Sequence, residues 1–204
     1  MKPVERDFAR VVMIAYVQAP DPSGRPRCAS DPGLSRYCDT MELGVHFALS
    51  DHVAAELLDA RGDDGKLGAV VEDIEETGRS EFFCDTAKAW DPILCSLSSA
   101  GYQRTPENWP AYGVILGYED LNMDTDDQLI TYLAPDRVAE VAAHLDSITE
   151  SEFSACYDAM PLDDRNPEYG ADERAYAWGG LEEVMDFFQR AAHDDRHVVF
   201  TVRF

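Results

Sequence analysis

The apolar residues of this chain change period repeatedly, and that alternation sets the class of fold. Leu43, Val45 and Phe47 alternate, which places every second side chain on one face of a half-buried strand. Ser50 and Asp51 then offer N-caps to a helix through Leu57 and Leu58. Leu67, Val70, Val71 and Ile74 fall at i, i+3, i+4 and i+7, the stripe of a second helix, and Gly78 stands where a left-handed residue would end it. Pro135 and Asp136 suit the first turn of a helix whose apolar face is Val138, Val141, Ala142 and Leu145. Thr149 and Glu152 make a capping-box pair ahead of Phe153, Cys156 and Tyr157. Leu181, Val184, Phe188 and Ala191 mark a last amphipathic helix, and Val198, Phe200, Val202 and Phe204 alternate in a terminal strand. Helix pairs interleaved with separated strands predict a single α+β domain, a small mixed sheet packed by amphipathic helices.

Two middle segments complete this reading. Asp85 or Thr86 is the kind of residue that caps a helix start, and Trp90, Leu94 and Leu97 then share one face, with Pro92 in or near the first turns. The run Tyr112 to Tyr118 is apolar and bounded by Pro110 and an acidic segment, so it reads as a buried strand.

Residues 1–40 differ from the rest. Pro3, Pro20, Pro22, Pro26 and Pro32 punctuate them, and the only apolar run is Val11 to Val17, so they are expected to be an extension ahead of a domain over 41–204. That run faintly imitates a secretory signal, but it is short, and Glu5 and Asp7 sit where positive charge should dominate. No apolar run approaches the ~20 residues of a membrane helix. Cys28, Cys38, Cys84, Cys95 and Cys156 are odd in number and include no C-x-x-C pair, which points to buried, reduced thiols in a cytoplasmic protein.

Several blocks carry a family resemblance: Asp85-Thr86-Ala87-Lys88-Ala89-Trp90-Asp91-Pro92, Tyr112-Gly113-Val114-Ile115-Leu116-Gly117, Tyr132-Leu133-Ala134-Pro135, and Leu181 to Phe204. Together they resemble the YfbM-like family, known as domain of unknown function 1877. The resemblance begins at Met41 and implies an Asp-x-x-Lys-Ala-Trp helix start, a Tyr-Leu-Thr-Pro helix opening, and a last helix leading into a terminal strand. It implies no activity. The family helix usually has His after Trp, where this chain has Asp91.

Charge is the compositional outlier, since 40 acidic residues face 17 basic ones and leave a formal net charge of -23. Such a field repels phosphate backbones and anionic lipid headgroups, so neither nucleic acid nor membrane is an expected partner. It favours a basic protein partner. Only Lys2, Lys66 and Lys88 are lysines, and an Asp-rich, Lys-poor balance also follows from genome composition or a salty habitat.

Chemistry leaves weaker marks. Asp120, Asn122, Asp124 and Asp126 are spaced like positions 1, 3, 5 and 7 of a calcium loop, but Thr125 replaces the turn glycine and Thr131 the bidentate glutamate. His193 and His197 are four apart, yet the apolar alternation assigns His197 to the terminal strand. His46 sits among core-pattern residues as a structural histidine, and Cys95 and Cys156 fall on or beside apolar helix faces that make thiols inert. The chain has no nucleophile elbow, no phosphate-cradling glycine loop and no catalytic residue that spacing singles out; no metal or cofactor is expected.

The expected function is non-catalytic protein binding, of an immunity or accessory type, through an acidic surface. Its candidate residues are Glu119, Asp120, Asp124, Asp126 and Asp127, with Trp90 as a core residue or a pocket wall. The alternative is an enzyme acting in an acidic cleft.

Overall fold

The computed structural model describes residues 43–98, 101–123, 128–161, 165 and 172–203. Along the chain run β1 (Gly44–Leu49), α1 (Asp51–Asp59), α2 (Asp64–Thr77), β2 (Phe82–Ala87), α3 (Trp90–Leu97), a 3-10 turn (Pro106–Asn108) and α4 (Gly113–Leu116). Then come β3 (Glu119–Asp120), β4 (Gln128–Leu133), α5 (Pro135–Leu145), α6 (Glu150–Ala159), α7 (Glu173–His193) and β5 (His197–Arg203). The class is α+β, as the periodicities predict.

The strands form one sheet in the order β2-β1-β5-β4-β3. A mixed sheet was expected, but every described pairing is antiparallel. The α1–α2 pair joins β1 to β2, which lies antiparallel beside it.

Strand pleating sends alternate side chains to two separate cores. Phe47, Leu49, Ile130, Tyr132 and Val199 meet α1 and α2 through Val53, Leu57, Leu67, Val71 and Ile74. Ala48, Leu133, Val198, Phe200 and Val202 meet the other helices through Trp90, Ile93, Val138, Val141, Phe153 and Phe188. β1 is therefore not half-buried as its alternation predicts. His46 and Ala48, between the apolar positions, are fully buried on the second face.

Helix ends follow local chemistry. Thr149 and Glu152 form the full capping box of α6, and Gly78 ends α2 in the left-handed region at φ 65°. Ser50 occupies the N-cap of α1 with no side-chain bond, whereas Asp63 caps α2 by accepting from the Lys66 amide. Pro135 opens α5.

Two expectations fail locally. Asp85 and Thr86 do not cap a helix; they lie in β2, where Thr86 donates to the Gly44 carbonyl at 2.7 Å and Asp85 accepts from the Ala87 amide. A Thr that reaches across a sheet spacing satisfies itself there as well as at a helix start. Helix α3 begins only at Trp90, with Ala89 as its N-cap. The Tyr112 to Tyr118 run is not a strand, because Gly113–Leu116 make the turn of α4. All four of its residues are buried, so the run shows no period that separates a strand from an enclosed helical turn.

Gly117 follows α4 at φ +59°, and a Cβ there would come within 2.8 Å of the Tyr132 backbone nitrogen. Only glycine lets the chain leave α4 against β4 and enter β3. The thiols split: Cys84 and Cys95 are buried as expected, while Cys156 is exposed, because α6 turns Phe153 and Tyr157 inward and leaves Cys156 outside that stripe. Cys28 and Cys38 lie outside the described residues, as do residues 1–40 and Phe204.

Candidate partner-binding face at the sheet edge

β3 is the outermost strand, paired with β4 through Glu119 opposite Tyr132 and Asp120 opposite Thr131. Two arginines hold its carboxylates. Arg61, just past α1, donates to Glu119 at 2.6 Å. Arg104 donates to both oxygens of Asp120 and to the Leu116 carbonyl at 2.6 Å, tying the end of α4 to the edge strand. Asn122 continues the ladder with its side chain: its Oδ1 accepts from the Ile130 amide at 3.0 Å and its Nδ2 donates to the Gln128 carbonyl at 2.5 Å.

Large apolar side chains bracket this strand. Tyr118 is 50% exposed on one side of β3 and Met123 is 79% exposed on the other. Phe83, 62% exposed, is the third such residue among those described, and it lies in β2 at the opposite edge of the sheet.

Behind Tyr118 the chain builds an aromatic corner. The Trp109 ring meets Tyr118 at a centroid distance of 5.5 Å and an interplanar angle of 86°, and meets Tyr112 at 5.4 Å and 62°. Gly113 makes room for it, since a Cβ there would lie 2.6 Å from the indole. The Arg137 guanidinium of α5 sits 4.5 Å from the Tyr118 centroid and 5.4 Å from that of Trp109. Glu140 completes the corner, accepting from Trp109 Nε1 and from Arg137 at 3.0 and 3.1 Å. Two rings nearly at right angles and a carboxylate around one cation are a cation–π site with its counter-ion.

The sequence candidates fall in different places. Glu119 and Asp120 lie on this edge, each in an ion pair. Asp124, Asp126 and Asp127 lie outside the described residues. Trp90 is 2% exposed, packed among Phe200, Tyr102 and the helices of the larger core, with its ring over Gly44. Asp91 accepts from the Tyr102 hydroxyl.

The calcium-like spacing is spent internally, with Asp120 held by Arg104 and Asn122 by the β4 backbone. Among the described residues, no group of three or more His, Cys, Asp or Glu side chains is placed to hold a metal ion. His193 ends α7, and His197 opens β5 with its ring committed elsewhere.

That commitment forms a chain of polar groups. His197 Nε2 donates to Asp51 at 3.1 Å, and its Nδ1 accepts from the Tyr132 hydroxyl at 2.6 Å. Acid, imidazole and hydroxyl are the parts of a nucleophile relay, but burial runs the wrong way for one. The hydroxyl belongs to buried Tyr132 and the carboxylate to exposed Asp51. Burial also pushes the Tyr132 phenol up to about 12, so it stays protonated and donates. This trio orients β4, β5 and α1 against one another.

His46, fully buried, donates to the Val114 carbonyl and is surrounded by Phe187, Phe188 and Phe200. Desolvation lowers its pKa to about 4, so it is a neutral structural ring at pH 7. Burial likewise raises the Cys84 thiol to about 12 and leaves it unreactive.

Sequence reasoning missed Tyr118 and Met123 as surface residues, and missed Trp109, Arg137 and Glu140 altogether. The readable signal was two large apolar side chains flanking an acidic segment; the convergence of Tyr118 with α5 is tertiary.

The family model "Domain of unknown function (DUF1877)" matches residues 41–201. A solved protein of unknown function, YfbM from Escherichia coli, has a similar fold, with a TM-score of 0.56 and 16% identity over 78% of this chain and 99% of that one. At that identity the likeness speaks for the fold alone. No curated protein matches the chain. Among the described residues no helix is long and apolar enough to cross a membrane.

Proposed function

The chain belongs to the DUF1877 family, whose description names no activity, and we propose that this member is a non-catalytic, cytoplasmic protein-binding domain whose sheet edge at β3 receives a basic protein. What supports the reading is the bracketing of β3, the edge strand of the described sheet that bears Glu119 and Asp120, by exposed Tyr118 and Met123. Exposed aromatic and Met side chains are enriched at interface centres, and the net charge of -23 sets the sign of the partner. Asp124, Asp126 and Asp127, which follow in sequence, belong to the same proposed face.

Affinity capture from native lysate tests it with built-in controls. Tyr118→Ala with Met123→Ser should lower recovery of the captured basic protein by about tenfold or more, as loss of central interface residues does. Phe83→Ser, at the other edge, should not. Neutralising Asp124, Asp126 and Asp127 to Asn should slow association most at low salt. Equal recovery by wild type and the Tyr118/Met123 variant removes β3 from the interface.

The enzyme alternative finds its one favouring observation in the Asp51–His197–Tyr132 chain. Its buried, neutral hydroxyl makes this the weaker reading.

A further inference from the structure

We infer that the corner of Trp109, Tyr118 and Glu140 is the receptor for an arginine side chain of the partner, and that Arg137 occupies it as an internal stand-in. This rests on the protein-binding reading above and names what the partner must present.

The corner fits a guanidinium by geometry. Two rings stand nearly at right angles, 86° apart, so a planar cation can lie against one face while the second ring closes its flank. Glu140 supplies the carboxylate, reaching the guanidinium through both oxygens at 3.0 and 3.1 Å. The Tyr118 side chain is half in solvent and directly precedes the edge strand, which puts the corner at the start of β3. The surrounding charge matches: Glu107 and Asp136 are exposed nearby in sequence to Trp109 and Arg137.

Arg137 can leave. Among the described residues its hydrogen bonds go to Glu140, three residues on in the same helix, and its Nε is already 4.0 Å from Asp136. A guanidinium displaced from the rings thus keeps a carboxylate neighbour. An entering arginine replaces it on the same groups, so the exchange leaves no ring or carboxylate unpaired. Arginine is favoured over lysine because a planar fork matches both the ring face and the carboxylate.

The test uses the full chain and an acetylated hexa-arginine peptide, followed by the Trp109 indole N–H resonance, which is identified by its loss in Trp109→Phe. Arg137→Ala should bind the peptide at least tenfold more tightly than wild type, with the Trp109 resonance moving, and should prefer it to hexa-lysine. Arg190→Ala removes an equal charge from above Phe82, at the other edge of the sheet, and should gain far less. Adding Tyr118→Ala to Arg137→Ala should return affinity to the wild-type level, with an unchanged unfolding midpoint as the check on folding. If Arg137→Ala and Arg190→Ala gain equally, or the double variant keeps the gain, charge alone is responsible and the receptor is overturned. Capture that depends on Tyr118 and Met123 without any peptide response at Trp109 overturns the receptor while leaving the protein-binding reading intact. A peptide response with no captured partner does the reverse.

Discussion

His46 Nε2 donates to the Val114 carbonyl at 2.8 Å, a bond that ties the second strand of the sheet to the four-residue turn α4 across 68 positions of sequence. Unfolded, the imidazole titrates near 6.5; folded, near 4, because burial disfavours its charge. Between those values the unfolded chain holds a proton that the folded chain does not, so falling pH favours unfolding. The contribution is intact above pH 6.5 and lost progressively toward pH 4, with about 2 kcal/mol gone by pH 5. His46→Gln keeps a donor and cannot titrate. Urea titrations at pH 7 and pH 5 should show a smaller loss of stability in the variant than in wild type, and parallel losses refute the assignment.

Trp90→Ala should cost about 3–5 kcal/mol, the usual penalty for deleting a large buried aromatic. The ring lies against Phe200 and Tyr102 and above Gly44, where nothing small can collapse into its space. Denaturant midpoints measure it, and a change under about 1 kcal/mol would contradict the packing described.

Gly117→Ala should destabilise by about 2 kcal/mol or more, combining the left-handed penalty with a Cβ forced against β4. Because the residue sits between α4 and β3, the amides of Tyr118 and Leu121, which donate to the Tyr132 and Ile130 carbonyls of β4, should exchange faster in the variant. An unchanged exchange pattern would mean that the turn relaxes freely.

Tyr157→Phe should cost about 1–3 kcal/mol, since the buried Glu173 loses the phenol that donates to it at the start of α7. Thermal unfolding of the variant beside wild type checks it, and an unchanged midpoint would contradict the bond to Glu173.

A chain beginning at Met41 should unfold at the same midpoint as the full chain, because the family match starts there and the prolines ahead of it leave one apolar run to bury. A midpoint lower by several degrees would make residues 1–40 part of the core.

What could be read from sequence was whatever local chemistry decides. The capping box at Thr149, the glycine cap at Gly78, the proline opening of α5 and the stripe of α7 all depend on neighbours within a turn or two. β5 was legible because Val198, Phe200 and Val202 share one core, although Val199 fills the other. The misreadings share a different cause. Asp85 and Thr86 have the chemistry of caps, and only the presence of Gly44 on the next strand makes them strand residues. Gly113–Leu116 are buried on every side, which erases the pattern that separates helix from strand. At the candidate face, charge drew attention to Glu119 and Asp120, while the pairing of Tyr118 with Trp109 and Arg137 required α5 to fold beside them.

β5 lies between β1 and β4 in the sheet yet follows all four other strands in the chain. A ribosome therefore delivers β1 with β2, then β3 with β4, as two separate antiparallel pairs, each with an exposed edge awaiting a strand not yet made. Neither core can close during that interval, because Val199 supplies one and Phe200 the other. Acquisition of the fold then waits for β5, and a nascent chain stalled before His197 should be cut readily by protease within β1 and β4, where the folded protein resists.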